Sequence, residues 1–188
     1  MLLKINTEHT DFIKHILPYT RNGIIIDTSV MKIFLDGFIK LKFSGKLDLD
    51  YKDLILLLEH LKVANRWNKF LITPHLFVEI CQHFCQDNDR NKRDDFKKIV
   101  EEIMPILREF NEEANIKKDD ILNLVDNNKP VIEIGDLSIF VAVENILETK
   151  DKIAVMANDG GIRVKYENYQ NVMIIDYSQT ILDLKQRK

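Results

Sequence analysis

Gly23-Ile24-Ile25-Ile26-Asp27-Thr28-Ser29 decides the fold, because three isoleucines stand in a row between a glycine and an acid. Consecutive β-branched residues with no polar residue among them suit a strand covered on both faces, the environment of a parallel sheet. An aspartate directly behind them must reach water at the strand end or find a partner, since an unpaired carboxylate in an apolar layer is costly. Three more runs fit short buried strands: Phe70-Leu71-Ile72, Ile153-Ala154-Val155-Met156-Ala157 and Val172-Met173-Ile174-Ile175. Stretches with helical spacing separate them and no hairpin turn joins any two. This alternation predicts an α/β fold, a parallel sheet with helices on both faces.

Outward from the strands, a single domain over 1–188 is expected, with an N-terminal helix at 9–18, a core at 22–176 and a C-terminal helix at 178–186. Thr28 begins a helical stretch through Phe38. Ser44-Gly45 and Asp48 to Asp50 make Phe43 to Tyr51 a loop, and Leu54, Leu57, Leu58 and Leu61 share one face of a helix at Asp53 to Val63. Thr73 caps the next helix, with Pro74 at its first position, where the missing N–H costs nothing. Asp94 to Phe110 reads as a long helix kinked at Pro105, Asp119 to Val125 as a short one, and Asp126 to Pro130 as a loop. The helix from Asp136 to Leu147 is apolar almost all round and should be the most buried.

The chain of 188 residues is 45% hydrophobic with a net charge of −3, which suits one globular domain and argues against a broad basic nucleic-acid surface. It holds no eighteen-residue apolar stretch and no signal-peptide core, so a cytoplasmic location without a membrane anchor is expected. Cys81 and Cys85 lie near His75 and His83, but a structural zinc site needs four ligands and no second Cys/His pair follows; reduced thiols are the better reading. Lys40, Lys42 and Lys46, then Arg90, Lys92 and Arg93, then Lys185, Arg187 and Lys188 form basic clusters that read first as solvated surface.

Four acids carry the chemistry: Asp27, Glu79, Asp136 and Asp159. Each has a bland explanation. Asp136 follows a glycine at a helix start and suits a cap; Asp159, in Asn158-Asp159-Gly160-Gly161, suits a turn. Asp27 is harder to dismiss behind its isoleucines, and Glu79 harder still, between Val78 and Ile80 at the border of an apolar stripe. In open α/β sheets functional groups gather at the carboxyl ends of strands, where Asp27 and Asp159 fall. Carboxylates gathered without basic partners need cations, and hard divalent ions take oxygen ligands, so one or two Mg²⁺ or Mn²⁺ ions are expected. Arg163 and Lys165, one helical turn beyond Asp159, are candidate phosphate contacts, with exposed surface charge as the alternative.

The pattern resembles the PIN domain, a family of metal-dependent nucleases, through Ile24-Ile25-Ile26-Asp27-Thr28-Ser29-Val30, Thr73-Pro74-His75-Leu76-Phe77-Val78-Glu79-Ile80, Gly135-Asp136-Leu137-Ser138-Ile139-Phe140-Val141-Ala142 and Ala157-Asn158-Asp159. The resemblance spans Gly23 to Asp176. It implies a three-layer α/β/α sandwich around a parallel sheet of about five strands, with the four acids holding the metal at its carboxyl edge. Thr28, Ser29 and Asn158 become polar supports beside it. The expected activity is endoribonucleolytic hydrolysis of single-stranded RNA, in a toxin, RNA-processing or defence setting, with an antitoxin or a second copy as partner. The alternative is a catalytically silent PIN-like RNA-binding or scaffold module. Two rival enzyme classes fail on residue types. A haloacid-dehalogenase phosphatase needs an acid two residues beyond Asp27, where Ser29 stands, and no glycine-rich phosphate loop is present.

Overall fold

The computed structural model describes residues 7–86, 93–112, 116–127, 134–158 and 160–186. Helix α1 (Thr7–Thr20) leads into strand β1 (Ile24–Ile26), then α2 (Thr28–Ser44), α3 (Leu49–His60), a 3-10 turn at Trp67–Lys69 and β2 (Phe70–Ile72). Helices α4 (Pro74–Gln86) and α5 (Arg93–Glu109) precede β3 (Asn111–Glu112), followed by α6 (Lys118–Asn127) and α7 (Ile134–Leu147). The chain closes with β4 (Ile153–Ala157), α8 (Gly160–Tyr166), β5 (Val172–Asp176) and α9 (Tyr177–Gln186). Among the described residues no helix is long and apolar enough to cross a membrane.

Every strand pairing is parallel, in the order β3-β2-β1-β4-β5. Ile25 lies opposite Leu71 on one side and Val155 on the other. Four strands of three to five residues make the body of the sheet, and the two-residue β3 extends one edge. All three residues of β1 and all five of β4 are buried. Successive strand residues point to opposite faces, so burial at every position means that both faces are covered. The isoleucine run therefore reads as it should for the centre of an α/β sheet.

Two departures from the sequence expectation have local causes. Phe43 to Tyr51 is mostly helical rather than a loop. Gly45, at φ 64°, closes α2 by donating its N–H to Leu41 O, and Asp48 opens α3 by accepting from the Asp50 and Tyr51 N–H groups. The turn residues of that stretch are the end of one helix and the start of the next, with 45–48 between them. Helix α7 starts at Ile134, two positions earlier than expected, which moves Asp136 inside its first turn. β3 was not anticipated, because Asn-Glu carries no strand preference. Of the loop read at Asp126 to Pro130, Asp126 and Asn127 belong to α6 and the rest lies outside the described residues, as does all of the break at Asp87 to Asn91.

The basic clusters are partly absorbed by the fold. Lys40 meets Asp48 at 2.7 Å and Lys42 meets Glu102 at 3.1 Å, exposed pairs of small energetic weight. Lys185 pairs with the buried Asp53, tying α9 to α3. Arg90, Lys92, Arg187 and Lys188 lie outside the described residues.

Helix α2 meets α3 at Gly37, where a Cβ would fall 2.1 Å from Tyr51 Cβ. Alanine favours a helix interior by about 1 kcal/mol over glycine, yet here its methyl would overlap the buried Tyr51 side chain. Gly37→Ala is expected to destabilise the fold by about 1–3 kcal/mol in urea unfolding. A variant as stable as the parent would contradict this packing.

Candidate functional site

The chain enters the sheet at its middle. From β1 it winds through β2 to β3 at one edge, then returns to the other side of β1 for β4 and β5. The connections leaving β1 and β4 thus run in opposite directions, and the carboxyl ends of these two strands form the topological switch point, the usual ligand position in open α/β sheets. Asp27 follows β1 and Asn158 follows β4 at this switch point. Pairing continues past the end of β1, with the Asp27 N–H donating to Met156 O at 3.0 Å.

Asp27 is 6% exposed and acts as the N-cap of α2. Its Oδ2 accepts from the Ser29 N–H at 3.3 Å and from the Ser29 hydroxyl at 2.5 Å. The same hydroxyl accepts from the Asn158 N–H at 3.2 Å. Ser29 thereby locks the carboxylate's rotation and ties the end of β1 to the end of β4, and among the described residues nothing donates to Asp27 Oδ1. Asn158 extends the chain of contacts, its Oδ1 accepting from the Ser178 N–H at 2.9 Å and hydroxyl at 3.0 Å, which anchors the first turn of α9. Thr28 Oγ1 is buried with no hydrogen-bond partner. A buried polar atom left unpaired costs about 1–3 kcal/mol, so a group beside Asp27 that engages it would be favoured.

Glu79 and Asp136 come from α4 and α7, which are joined by a polar latch. Thr73 Oγ1 lies 2.7 Å from Ser138 Oγ, both residues at most 1% exposed. Thr73 Oγ1 also caps α4 by accepting from the Leu76 N–H at 3.2 Å, as its position before Pro74 implies. Ser138 donates to Gly135 O at 2.6 Å, so the latch reaches the first turn of α7. There the Glu79 carboxylate lies against Gly135: a Cβ built on that glycine would be 2.8 Å from Glu79 Oε2. Gly135 therefore admits the Glu79 carboxylate against the first turn of α7, at the positive end of a fourteen-residue helix. The half-buried Asp136 sits in that first turn rather than at the cap.

Between the two helices runs a groove of about 430 Å³ lined by Pro74, His75, Val78, Glu79, Gln82, Ile134 and Gly135. His75 Nδ1 is buried there with no hydrogen-bond partner. The sequence drew attention to His75 only as a zinc candidate; its position one turn before Glu79, on the same helical face, was the signal available.

Asp159 lies outside the described residues. Among the described residues no three His, Cys, Asp or Glu side chains converge closely enough to hold a metal ion. Asp27 and Asn158 are linked through the Ser29 hydroxyl, and Glu79 abuts the residue before Asp136. The carboxylates and the unpartnered Thr28 hydroxyl offer oxygen donors, the kind that hard divalent cations take, and the His75 imidazole beside Glu79 offers a nitrogen. The two candidate phosphate contacts are engaged within the fold: Arg163 reaches Asp176 Oδ2 at 3.5 Å, and Lys165 Nζ lies 5.5 Å from the Phe140 ring centroid.

Removing the Ser29 hydroxyl should leave the Asn158 N–H unpaired and free the Asp27 carboxylate to turn. Ser29→Ala is expected to lose about 1–2 kcal/mol of stability in denaturant unfolding, while Ser29→Thr keeps most of it. Equal stability of parent and alanine variant would remove the bridging role. No family model, curated protein or solved structure matches this chain.

Proposed function

We propose that the chain is a PIN-like, metal-dependent endoribonuclease that hydrolyses phosphodiester bonds in single-stranded RNA. One observation carries this reading: a carboxylate, Asp27, is held in a fixed orientation at the switch point of a parallel sheet by a serine bonded to the neighbouring strand. A purely structural N-cap needs neither the location nor the second restraint. The oxygen donors fit Mg²⁺ or Mn²⁺, which when bound would activate water and offset charge on the leaving oxygen.

The residues have separable tasks in this reading. Asp27, Glu79, Asp136 and Asp159 hold one or two ions. Ser29 and Asn158 aim Asp27, Thr28 offers its hydroxyl beside it, and the Thr73–Ser138 latch keeps Glu79 and Asp136 in register. No covalent nucleophile is required. Arg163 and Lys165 would meet phosphates by exchanging their present partners, Asp176 and Phe140.

A second reading, a silent PIN-like RNA-binding or scaffold module, draws on the lack of a converged three-ligand group among the described residues. Metal separates the two. With Mn²⁺ or Mg²⁺ the purified protein is expected to cleave unstructured RNA, with loss of activity in chelator and a drop of about 100-fold or more for Asp27→Asn at unchanged fold. Millimolar Mn²⁺ should also raise the melting temperature of the parent more than that of the variant. Full activity of Asp27→Asn, or cleavage in chelator, would sink the nuclease reading; no melting shift in the parent would favour the silent module.

Gly135→Ala supplies a subtler test. The added methyl meets only the mobile end of Glu79 within 3 Å, so stability should change by less than about 1 kcal/mol. The displaced carboxylate should nevertheless lower cleavage about 10-fold or more. Cleavage at the parental rate would detach Glu79 from the site.

A further inference from the structure

We infer that the groove between α4 and α7 is a nucleobase pocket, which holds one base of the RNA beside the acids and gives the site base preference. The inference rests on the ribonuclease reading for its ligand, but its argument comes from different atoms.

Val78 and Ile134 are 53% and 58% exposed and flank the groove, apolar surface of the sort that covers the face of a flat ring. The volume of about 430 Å³ accommodates a base with room for its sugar. Polar recognition is available from Gln82, whose amide both donates and accepts, and from the His75 ring in the wall, whose unpartnered Nδ1 is buried and would meet a ligand edge only when the ring turns toward the groove. The Glu79 carboxylate in the wall disfavours a phosphate in the groove itself and leaves a neutral ring as the occupant. With Glu79 in the pocket wall and also among the acids assigned to the metal, the base held there belongs to a nucleotide adjoining the phosphate under attack.

Free nucleosides isolate the pocket, because they carry no phosphate and need no metal. Amide chemical shifts of the full chain would be followed in chelator while adenosine, cytidine or uridine is added to about 10 mM. Saturable shifts at Val78, Gln82 and Ile134 are expected, with the preferred nucleoside binding about fivefold more tightly than the weakest. Gln82→Ala and His75→Leu should each reduce that preference to within about twofold. Gln82 is exposed, so its variant tests the idea even if the histidine variant folds poorly. Absence of saturable shifts with every nucleoside, or an unchanged preference in Gln82→Ala, would overturn the pocket. Metal-dependent cleavage without nucleoside binding would sink the pocket and spare the nuclease; nucleoside binding without cleavage would do the reverse.

Discussion

A carboxylate behind three isoleucines, 6% exposed, is tolerable only with its charge shared, and much of the structure follows from how that is done. Ser29 donates twice to Asp27, once from the backbone and once from the hydroxyl, and that hydroxyl in turn accepts from Asn158. The start of α2, the alignment of β1 with β4 and, through Ser178, the start of α9 thus hang on one short chain of hydrogen bonds. Such networks have low tolerance for partial satisfaction where they are buried or half-buried, as at Asp27, Ser29 and Asn158, and each loss there strands its neighbour.

Polar pairing also organises the contact between α4 and α7. Helix α7 has seven consecutive buried residues, Leu137 to Val143, so apolar packing alone would let it rotate or slide against its neighbours. The Thr73–Ser138 pair offers one register in which both hydroxyls are satisfied. Gly135 adds a steric condition, since only a residue without a side chain leaves room for Glu79 as it stands. Specificity of this kind comes from few atoms, and it sets where two of the four acids lie.

How much of this was legible in the sequence depended on whether the signal was local. Strands β1, β2, β4 and β5 were readable because continuous apolar runs have few alternatives in a short helix-flanked segment. Thr73-Pro74 announced α4 through cap chemistry that involves only nearby residues. The loop expected at 43–51 is present but shorter, at 45–48, for the opposite reason: Gly45 and Asp48 are turn residues, and nothing local tells a long loop from two helix ends four residues apart. Asp27 and Ser29 were legible as polar residues closing β1, but the role of Asn158 in bridging strands was not, because its partner Ser29 is 129 positions away. The same holds for the Glu79–Gly135 approach and for His75, whose unpaired nitrogen exists only once the helices have packed.

The Thr73–Ser138 latch closes a separation of 65 residues, and that has a kinetic and an evolutionary side. Closing a flexible loop costs entropy that grows only with the logarithm of its length, about 0.6 kcal/mol per doubling. The segment carrying α5, β3 and α6 can therefore lengthen or shorten with little penalty to the join, provided Thr73 and Ser138 still meet. The sheet itself closes a longer span, since Ile25 of β1 pairs with Val155 of β4, so latch and central strands alike are long-range contacts of the kind that slow folding.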